Sequence, residues 1–82
     1  MWYVYIIRLD DDSLYTGITK DLERRMEKHE NGEGSKYVRS RLPLELVYSE
    51  EHKNKSSALK REARIKKWPK QRKERFISAE SS

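Results

Sequence analysis

The chain has 82 residues, a formal net charge of +5 and no cysteine. This length allows one small domain, and the lack of cysteine excludes a disulfide framework and a thiolate zinc site and favours a reducing cytoplasm. No stretch resembles a signal peptide or a membrane span, so we expect a cytoplasmic protein without membrane contact. A monomer is the expected oligomeric state.

Positive charge is concentrated in the second half of the chain, where more than half of the lysines and arginines lie between Lys53 and Arg75. Such a concentration is typical of proteins that bind nucleic acid. The alternative is that a chain with 40% charged residues is simply well solvated, because Glu62 and Glu74 interrupt the basic residues. Charge alone leaves both interpretations open.

The first predicted elements are two strands that form a β-hairpin. Residues 2–9 are rich in β-branched and aromatic side chains on both alternating faces, which predicts a strand buried on both sides. Three aspartates at 10–12 predict the turn, and residues 13–18 predict the second strand.

Tyr5 and Tyr15 lie on these two strands, and the length of the loop decides whether they meet. With a three-residue loop Ile7 pairs with Tyr15, and the two tyrosines share a face with β-carbons about 7 Å apart. An even-length loop places them on opposite faces. Aromatic residues of central strands are mostly core, so both interpretations of the tyrosines stay open at this point.

A charged helix is predicted next, over residues 20–30, with Thr19 as N-cap and Asn31-Gly32 at its end. Two polar residues lie on the stripe that such a helix normally turns towards the protein core. We therefore expect this helix to face a cleft lined by polar groups rather than a dry interior. The stripe comprises Leu22, Arg25, Met26 and His29.

The remaining elements are a short helical segment, a strand and two helices. Residues 34–42 predict one or two helical turns, residues 44–49 alternate as a strand, and Asn54 or Ser56 caps a helix that runs to residue 67. Pro69 suits the first turn of a last helix that ends near Ile77. The order is β-β-α-(α)-β-α-α in one domain over residues 1–77, followed by a frayed tail at 78–82.

Arg25 and His29 are candidates for chemistry on the polar stripe. A guanidinium is always charged and binds two phosphate oxygens at once; the alternative, a surface arginine, is disfavoured because Arg24 already serves the solvent side. His29 could move a proton near neutral pH. The alternative is a structural histidine, which is the more common role of a lone histidine on an apolar face.

Glu62 falls within the apolar stripe of the helix that follows the third strand, between Ala58 and Ile65. A carboxylate in that place costs energy unless it is paired or holds a cation. It could be a buried partner of Arg25, or a ligand for Mg²⁺, which commonly uses one or two carboxylates with waters and a substrate phosphate. Both interpretations could apply one after the other: Arg25 could pair with Glu62 until a metal ion and a phosphate bind.

The chain resembles the GIY-YIG nuclease superfamily, most closely its short stand-alone bacterial members of the YhbQ type, and the match extends over nearly the whole sequence. The first family motif ends in a tyrosine and the second begins with a tyrosine and ends in a glycine, here Gly17. Tyr3 and Thr16 depart from the family motifs at positions without chemistry. The matched functional positions are Tyr5, Tyr15, Arg25, His29 and Glu62.

The resemblance implies an α+β fold, an α/β sandwich with a small three-stranded antiparallel sheet flanked by helices. It also implies a metal-dependent endonuclease that cuts DNA, in a structure-dependent manner of the repair or recombination type. The tyrosines and His29 would assist the attacking water, Arg25 would stabilise charge on phosphorus, and Glu62 would hold Mg²⁺ or Mn²⁺. Further nucleic-acid contacts are predicted at Lys36, Arg39, Arg61 and Lys66.

Two other classes remain open, because the chain shows no appended DNA-binding domain of the kind on which many family nucleases depend. The first is a non-catalytic or weakly active nucleic-acid-binding module, which would bind in a salt-sensitive way without cutting. The second is a protein-interaction domain, which would not bind nucleic acid at low salt.

Overall fold

A computed structural model describes residues 1–81 and contains a three-stranded antiparallel sheet flanked by four helices. The strand order is β2-β1-β3, so the first strand is central. The predicted fold class and element order are confirmed. The elements are β1 Trp2–Leu9, β2 Leu14–Thr19, α1 Leu22–Glu30, α2 Lys36–Arg39, β3 Leu44–His52, α3 Lys55–Lys67 and α4 Lys70–Ser81.

The β1–β2 hairpin has the odd register. Ile7 lies opposite Tyr15, and the amide of Leu9 donates a 2.9 Å hydrogen bond to the carbonyl of Ser13 across the three-aspartate loop. Asp12 has a φ of 69°, a left-handed conformation that aspartate tolerates better than most residues. Tyr5 and Tyr15 therefore share one face of the sheet, as the three-residue loop predicts.

The sheet is covered on both faces, and alternate residues of β1 belong to two separate apolar clusters. On one face Val4 and Ile6 pack with Ala58 and Ile65 of α3 and Ile77 of α4. Burying each such aliphatic side chain contributes about 1.5–3 kcal/mol. This face is a dry core.

The other face of β1 carries Tyr5, Ile7 and Leu9, which pack with Met26 of α1 and Val38 of α2. The helices α1 and α2 therefore cover this face of the sheet. The candidate site is built on this face.

The predicted N-cap of α1 is wrong: the cap is Asp21. Its carboxylate accepts a 3.1 Å hydrogen bond from the amide of Arg24, whereas Thr19 remains in β2 and its hydroxyl accepts a 3.2 Å bond from the amide of Asp21. The helix therefore begins at Leu22, two residues later than predicted. Of the two candidate caps for α3, Asn54 is the one used, since its side chain accepts from the amide of Ser57.

Two elements are longer than predicted. The third strand continues to His52, which pairs with Trp2, because β1 is long enough to offer partners to the end. The last helix continues past Ile77 to Ser81, since residues 78–81 include neither proline nor glycine. The predicted end of this helix near Ile77 is therefore wrong, whereas the fraying predicted for 78–82 stays a prediction; Ser82 lies outside the described residues. Within residues 1–81 no helix combines the length and apolar character needed to cross a bilayer.

Candidate active site

A buried hydrogen bond joins the central strand to α1. The Tyr5 hydroxyl lies 2.9 Å from Nε2 of His29, and the two residues are only 2% and 1% exposed. Burial is the main cause that raises the pKa of Tyr5, and burial followed by the charge of Arg25 lowers the pKa of His29. A neutral phenol thus meets a neutral imidazole.

Two further tyrosines extend this pair towards solvent. The Tyr15 ring lies 6.5 Å from the Tyr5 ring and 5.7 Å from the His29 ring, measured between centroids. Tyr37 of α2 stacks on Tyr15 at 6.3 Å, and the guanidinium of Arg41 lies over the Tyr37 ring, 3.8 Å from its centroid. We call Tyr5, Tyr15, Tyr37 and His29 the tyrosine cluster.

Arg25 stands beside the cluster, one helical turn before His29. Its positive charge is the second cause, after burial, of the lowered pKa of His29. It also opposes the effect of burial on Tyr5, whose pKa stays raised. The side chain is half-buried, yet among residues 1–81 it has no hydrogen-bond or ion-pair partner. It is a cation held near two neutral groups and available to an anion.

Glu62 approaches the same place from α3. Its negative charge is one of the causes that raise the pKa of Tyr5, and its side chain is 17% exposed. Its ion-pair partner is Lys66, one turn along the helix at 3.4 Å. In the described part of the chain no ion pair joins Glu62 to Arg25, so the buried-partner interpretation of Glu62 is not what this structure shows.

Residues 1–75 match the family described as the GIY-YIG catalytic domain. The chain belongs to the GIY-YIG family. The match spans the tyrosine cluster, Arg25 and Glu62, and it places the chain among the GIY-YIG nucleases. The predicted resemblance is therefore confirmed.

Relatives of the same length extend this GIY-YIG assignment. A UPF0213 protein of Staphylococcus saprophyticus is 51% identical over 76 residues, which cover 93% of each chain, and one of Staphylococcus aureus is 51% identical over 75 residues, which cover 92% of each. The solution NMR structure of a UPF0213 protein from Bacillus halodurans is 40% identical with a TM-score of 0.62, over 96% of this chain and 85% of that one. None of these names states an activity.

Two glycines of the GIY-YIG domain make room for the buried pair. Gly17 lies opposite Tyr5 in the hairpin, and a β-carbon at Gly17 would lie 2.5 Å from the Tyr5 hydroxyl oxygen. A β-carbon at Gly34 would collide with Nδ1 of the His29 ring. The glycine that ends the second family motif is thus required by a close approach of the phenol rather than by its own backbone conformation.

The predicted nucleic-acid contacts fall into two groups. Lys36 and Arg39 are exposed on α2, the helix that carries Tyr37, and Lys66 pairs with Glu62. Arg61 instead binds β3, since its Nε donates to both carboxylate oxygens of Glu50 at 3.2 and 3.1 Å.

Sequence reasoning did not single out Tyr37, Gly34 or His52 as site residues. Tyr37 lies in the helical segment predicted over 34–42, which Ser35 caps, but nothing in the local pattern placed its ring against Tyr15. His52 was assigned no role, and the structure gives it two polar partners, Glu50 and Ser57.

Proposed function

We propose that this GIY-YIG domain is a metal-dependent endonuclease that hydrolyses phosphodiester bonds in DNA, in a structure-dependent manner suited to repair or recombination. A chain without cysteine suits the reducing cytoplasm, where we propose that it acts. One observation carries the proposal: a buried phenol–imidazole pair joins β1 to α1, and its phenol feels the charges of Arg25, which has no side-chain partner within residues 1–81, and of Glu62 on α3.

Tyr5 and His29 act as one unit in handling the proton of the attacking water. The raised pKa of Tyr5 keeps it a phenol at neutral pH, so the phenol does not act as a free phenolate. In the tautomer with the proton on Nδ1, the neutral His29 accepts the Tyr5 proton at Nε2 while Tyr5 accepts a proton from water. Nδ1 is buried and has no partner within the described residues, which suits a ring held by packing.

Arg25 and Tyr15 are half-buried and, unlike Tyr5 and His29, are open to a nucleic-acid strand. The guanidinium can donate two hydrogen bonds to the non-bridging oxygens of a phosphate and stabilise the charge that grows there in the transition state. Tyr15, whose ring contacts both Tyr5 and His29, can orient the water or the phosphate.

The residues present fit a single divalent cation, Mg²⁺ or Mn²⁺. In the described residues no cluster of three or more carboxylates and histidines could form a full protein cage, and Glu62 supplies one partly accessible carboxylate whose partner Lys66 is exposed and displaceable. Such a cation is held by one or two carboxylates, waters and the substrate phosphate. When bound, it supplies Lewis-acid stabilisation of the leaving oxygen.

A cleavage assay tests the proposal. Supercoiled plasmid and nicked, flapped and branched DNA are incubated with Mg²⁺ or Mn²⁺ and the wild-type domain, and we expect nicking. In Glu62→Gln and Arg25→Ala the rate should fall by about 100-fold or more, the size of effect seen when a group that stabilises transition-state charge is lost. Lys67→Gln, on an exposed part of α3, is the matched control and should keep full activity.

Two outcomes go against the nuclease. Cleavage that survives both Glu62→Gln and Arg25→Ala would come from another site or another protein. Salt-sensitive binding that persists in Glu62→Gln, without cleavage of any substrate by the wild type, would instead favour the non-catalytic binding module.

A further inference from the structure

An open pocket of about 530 Å³ lies where β3 ends and α3 begins, away from the tyrosine cluster. We call it the α3 pocket. Its lining combines cationic, hydroxyl, amide and imidazole groups and includes no carboxylate. The lining residues are His52, Asn54, Ser56, Ser57, Lys60, Arg61 and Arg64.

Three cationic side chains line this pocket. Lys60 and Arg64 are exposed and have no hydrogen-bond or ion-pair partner within the part of the chain that the structure describes. Arg61 is half-buried: its Nε binds Glu50, and its guanidinium lies over the rings of Trp68 and Phe76. Even after Glu50 neutralises one charge, the pocket remains cationic.

A chain of hydrogen bonds fixes the polar side of the pocket. His52 Nε2 lies 2.5 Å from Glu50 Oε2, and His52 Nδ1 lies 2.6 Å from the Ser57 hydroxyl. Although burial alone would raise the pKa of Glu50, hydrogen bonds from Tyr48 and His52 outweigh it and keep this pKa low. Because an ionised carboxylate can only accept, His52 Nε2 carries a proton, and the imidazole is held in one orientation beside Ser57.

The α3 pocket and the tyrosine cluster lie on different sides of α3. Ser57, Lys60, Arg61 and Arg64 follow the helical spacing i, i+3, i+4 and i+7, so they form one stripe. Arg61 reaches Glu50 of β3, whereas the charge of Glu62, the next residue, acts on Tyr5 of β1. A group bound in the pocket therefore does not occupy the candidate active site.

We propose that the α3 pocket is a second phosphate-binding site. Arg64 offers the fork that matches phosphate oxygens, Lys60 offers point charge and further donors, and the hydroxyl of Ser57 lies among them. The phosphate can belong to the backbone of a nucleic-acid strand or to a free phosphate-bearing small molecule. Only the first source rests on the proposed function.

Inorganic phosphate is the probe that tests the pocket itself, in an NMR titration of the full chain without metal. We expect the amide signals of Ser57 and His52 to move. The variant Lys60→Gln/Arg64→Gln should bind phosphate about fivefold or more weakly, whereas the control Lys67→Gln/Arg75→Gln loses the same charge outside the pocket and should bind normally. Melting curves of both variants check that each is folded.

Equal phosphate affinity in the two double variants, or signal changes centred on Arg25 instead of Ser57, would overturn the second site. The titration requires neither metal nor cleavage, so its failure leaves the nuclease proposal intact. Likewise, if the wild-type protein cleaves no DNA, the proposal of a second phosphate-binding site still stands.

A single-stranded DNA oligonucleotide distinguishes the two sources of phosphate. If the pocket holds a strand, the slope of log affinity against log salt should fall by about one or two in Lys60→Gln/Arg64→Gln relative to the control double variant. Equal slopes, with phosphate binding still weakened, would assign the pocket to a small phosphate-bearing molecule.

Discussion

Alternate residues of β1 point to opposite faces of the sheet, and the two faces bury different chemistry. On the α3–α4 face Val4 and Ile6 meet only aliphatic and aromatic side chains of the core cluster. On the α1–α2 face Tyr5 is buried almost as completely, but its hydroxyl bonds His29 and lies near the charge of Arg25. The same strand thus supports the fold on one side and the candidate site on the other.

This difference separates apolar contacts, which stabilise the fold, from buried polar groups, which reduce its stability. Buried aliphatic groups contribute stability without any partner of matching polarity, whereas a buried phenol, imidazole and carboxylate cost energy unless they are paired. Among the residues that the structure describes, neither Nδ1 of His29 nor the side chain of Arg25 on this polar face has a partner. A site retained at such a cost is typical of function rather than of folding.

The largest effect on stability should come from the dry face. Ile6→Ala removes a side chain that is fully buried, and we expect the free energy of unfolding to fall by about 2–5 kcal/mol. Leu46→Ala removes a leucine side chain that is 41% exposed on β3 and should cost much less. Denaturant unfolding followed by circular dichroism measures both. Similar losses in the two variants would mean that the α3–α4 face is not the stabilising one.

A smaller loss is expected from Gly17→Ala on the polar face. The new β-carbon would lie 2.5 Å from the Tyr5 hydroxyl, so the phenol must move, and overpacking of this kind costs about 1–3 kcal/mol. The double variant Gly17→Ala/Tyr5→Leu removes the colliding ring and should regain part of that loss. Strictly additive effects of the two single changes would show that Gly17 does not accommodate Tyr5.

The smallest effect concerns pH. The folded-state pKa of His29 is lowered, chiefly by burial, so between its folded and unfolded pKa values only the unfolded chain binds the proton. Stability should therefore be constant above about pH 6.5, the unfolded pKa, and should fall as pH drops below it. The paired carboxylates act in a lower window: the pKa of Glu74 is held down first by its hydrogen bonds from Arg8, and its contribution is lost below its ordinary pKa.

His29→Gln isolates this effect. Wild type and variant share the carboxylates, so the difference between their stability–pH curves reports His29 alone. We expect that difference to shrink below pH 6.5. Parallel curves from pH 5 to pH 8 would show that His29 is not buried as a neutral group.

The sequence predicted those parts of the site that depend on local periodicity. The period of two along a strand and the three-residue loop place Tyr5 and Tyr15 together, and the helical period places Arg25 and His29 on one stripe. Contacts between distant elements were not predictable in this way. The bond from Tyr5 to His29 and the stacking of Tyr37 on Tyr15 depend on how closely α1 and α2 approach the sheet, which Gly17 and Gly34 determine.

Local competition explains the errors in the boundaries. Thr19 and Asp21 are both good N-caps, and the choice depends on β2 keeping Thr19 in its ladder opposite Tyr3. His52 extends β3 only because Trp2 is there to pair with it. In both places a tertiary contact overrides a reasonable local preference.

The central claim is that the polar face assembles a reaction site around Tyr5, Arg25 and Glu62, and a Mn²⁺ titration followed by NMR tests it most directly. Paramagnetic broadening should centre on Glu62 and reach Tyr5 and Arg25, and Glu62→Gln should abolish it while the control Lys67→Gln retains it. Broadening spread over surface carboxylates such as Asp10 and Glu80, and unchanged in Glu62→Gln, would contradict the claim.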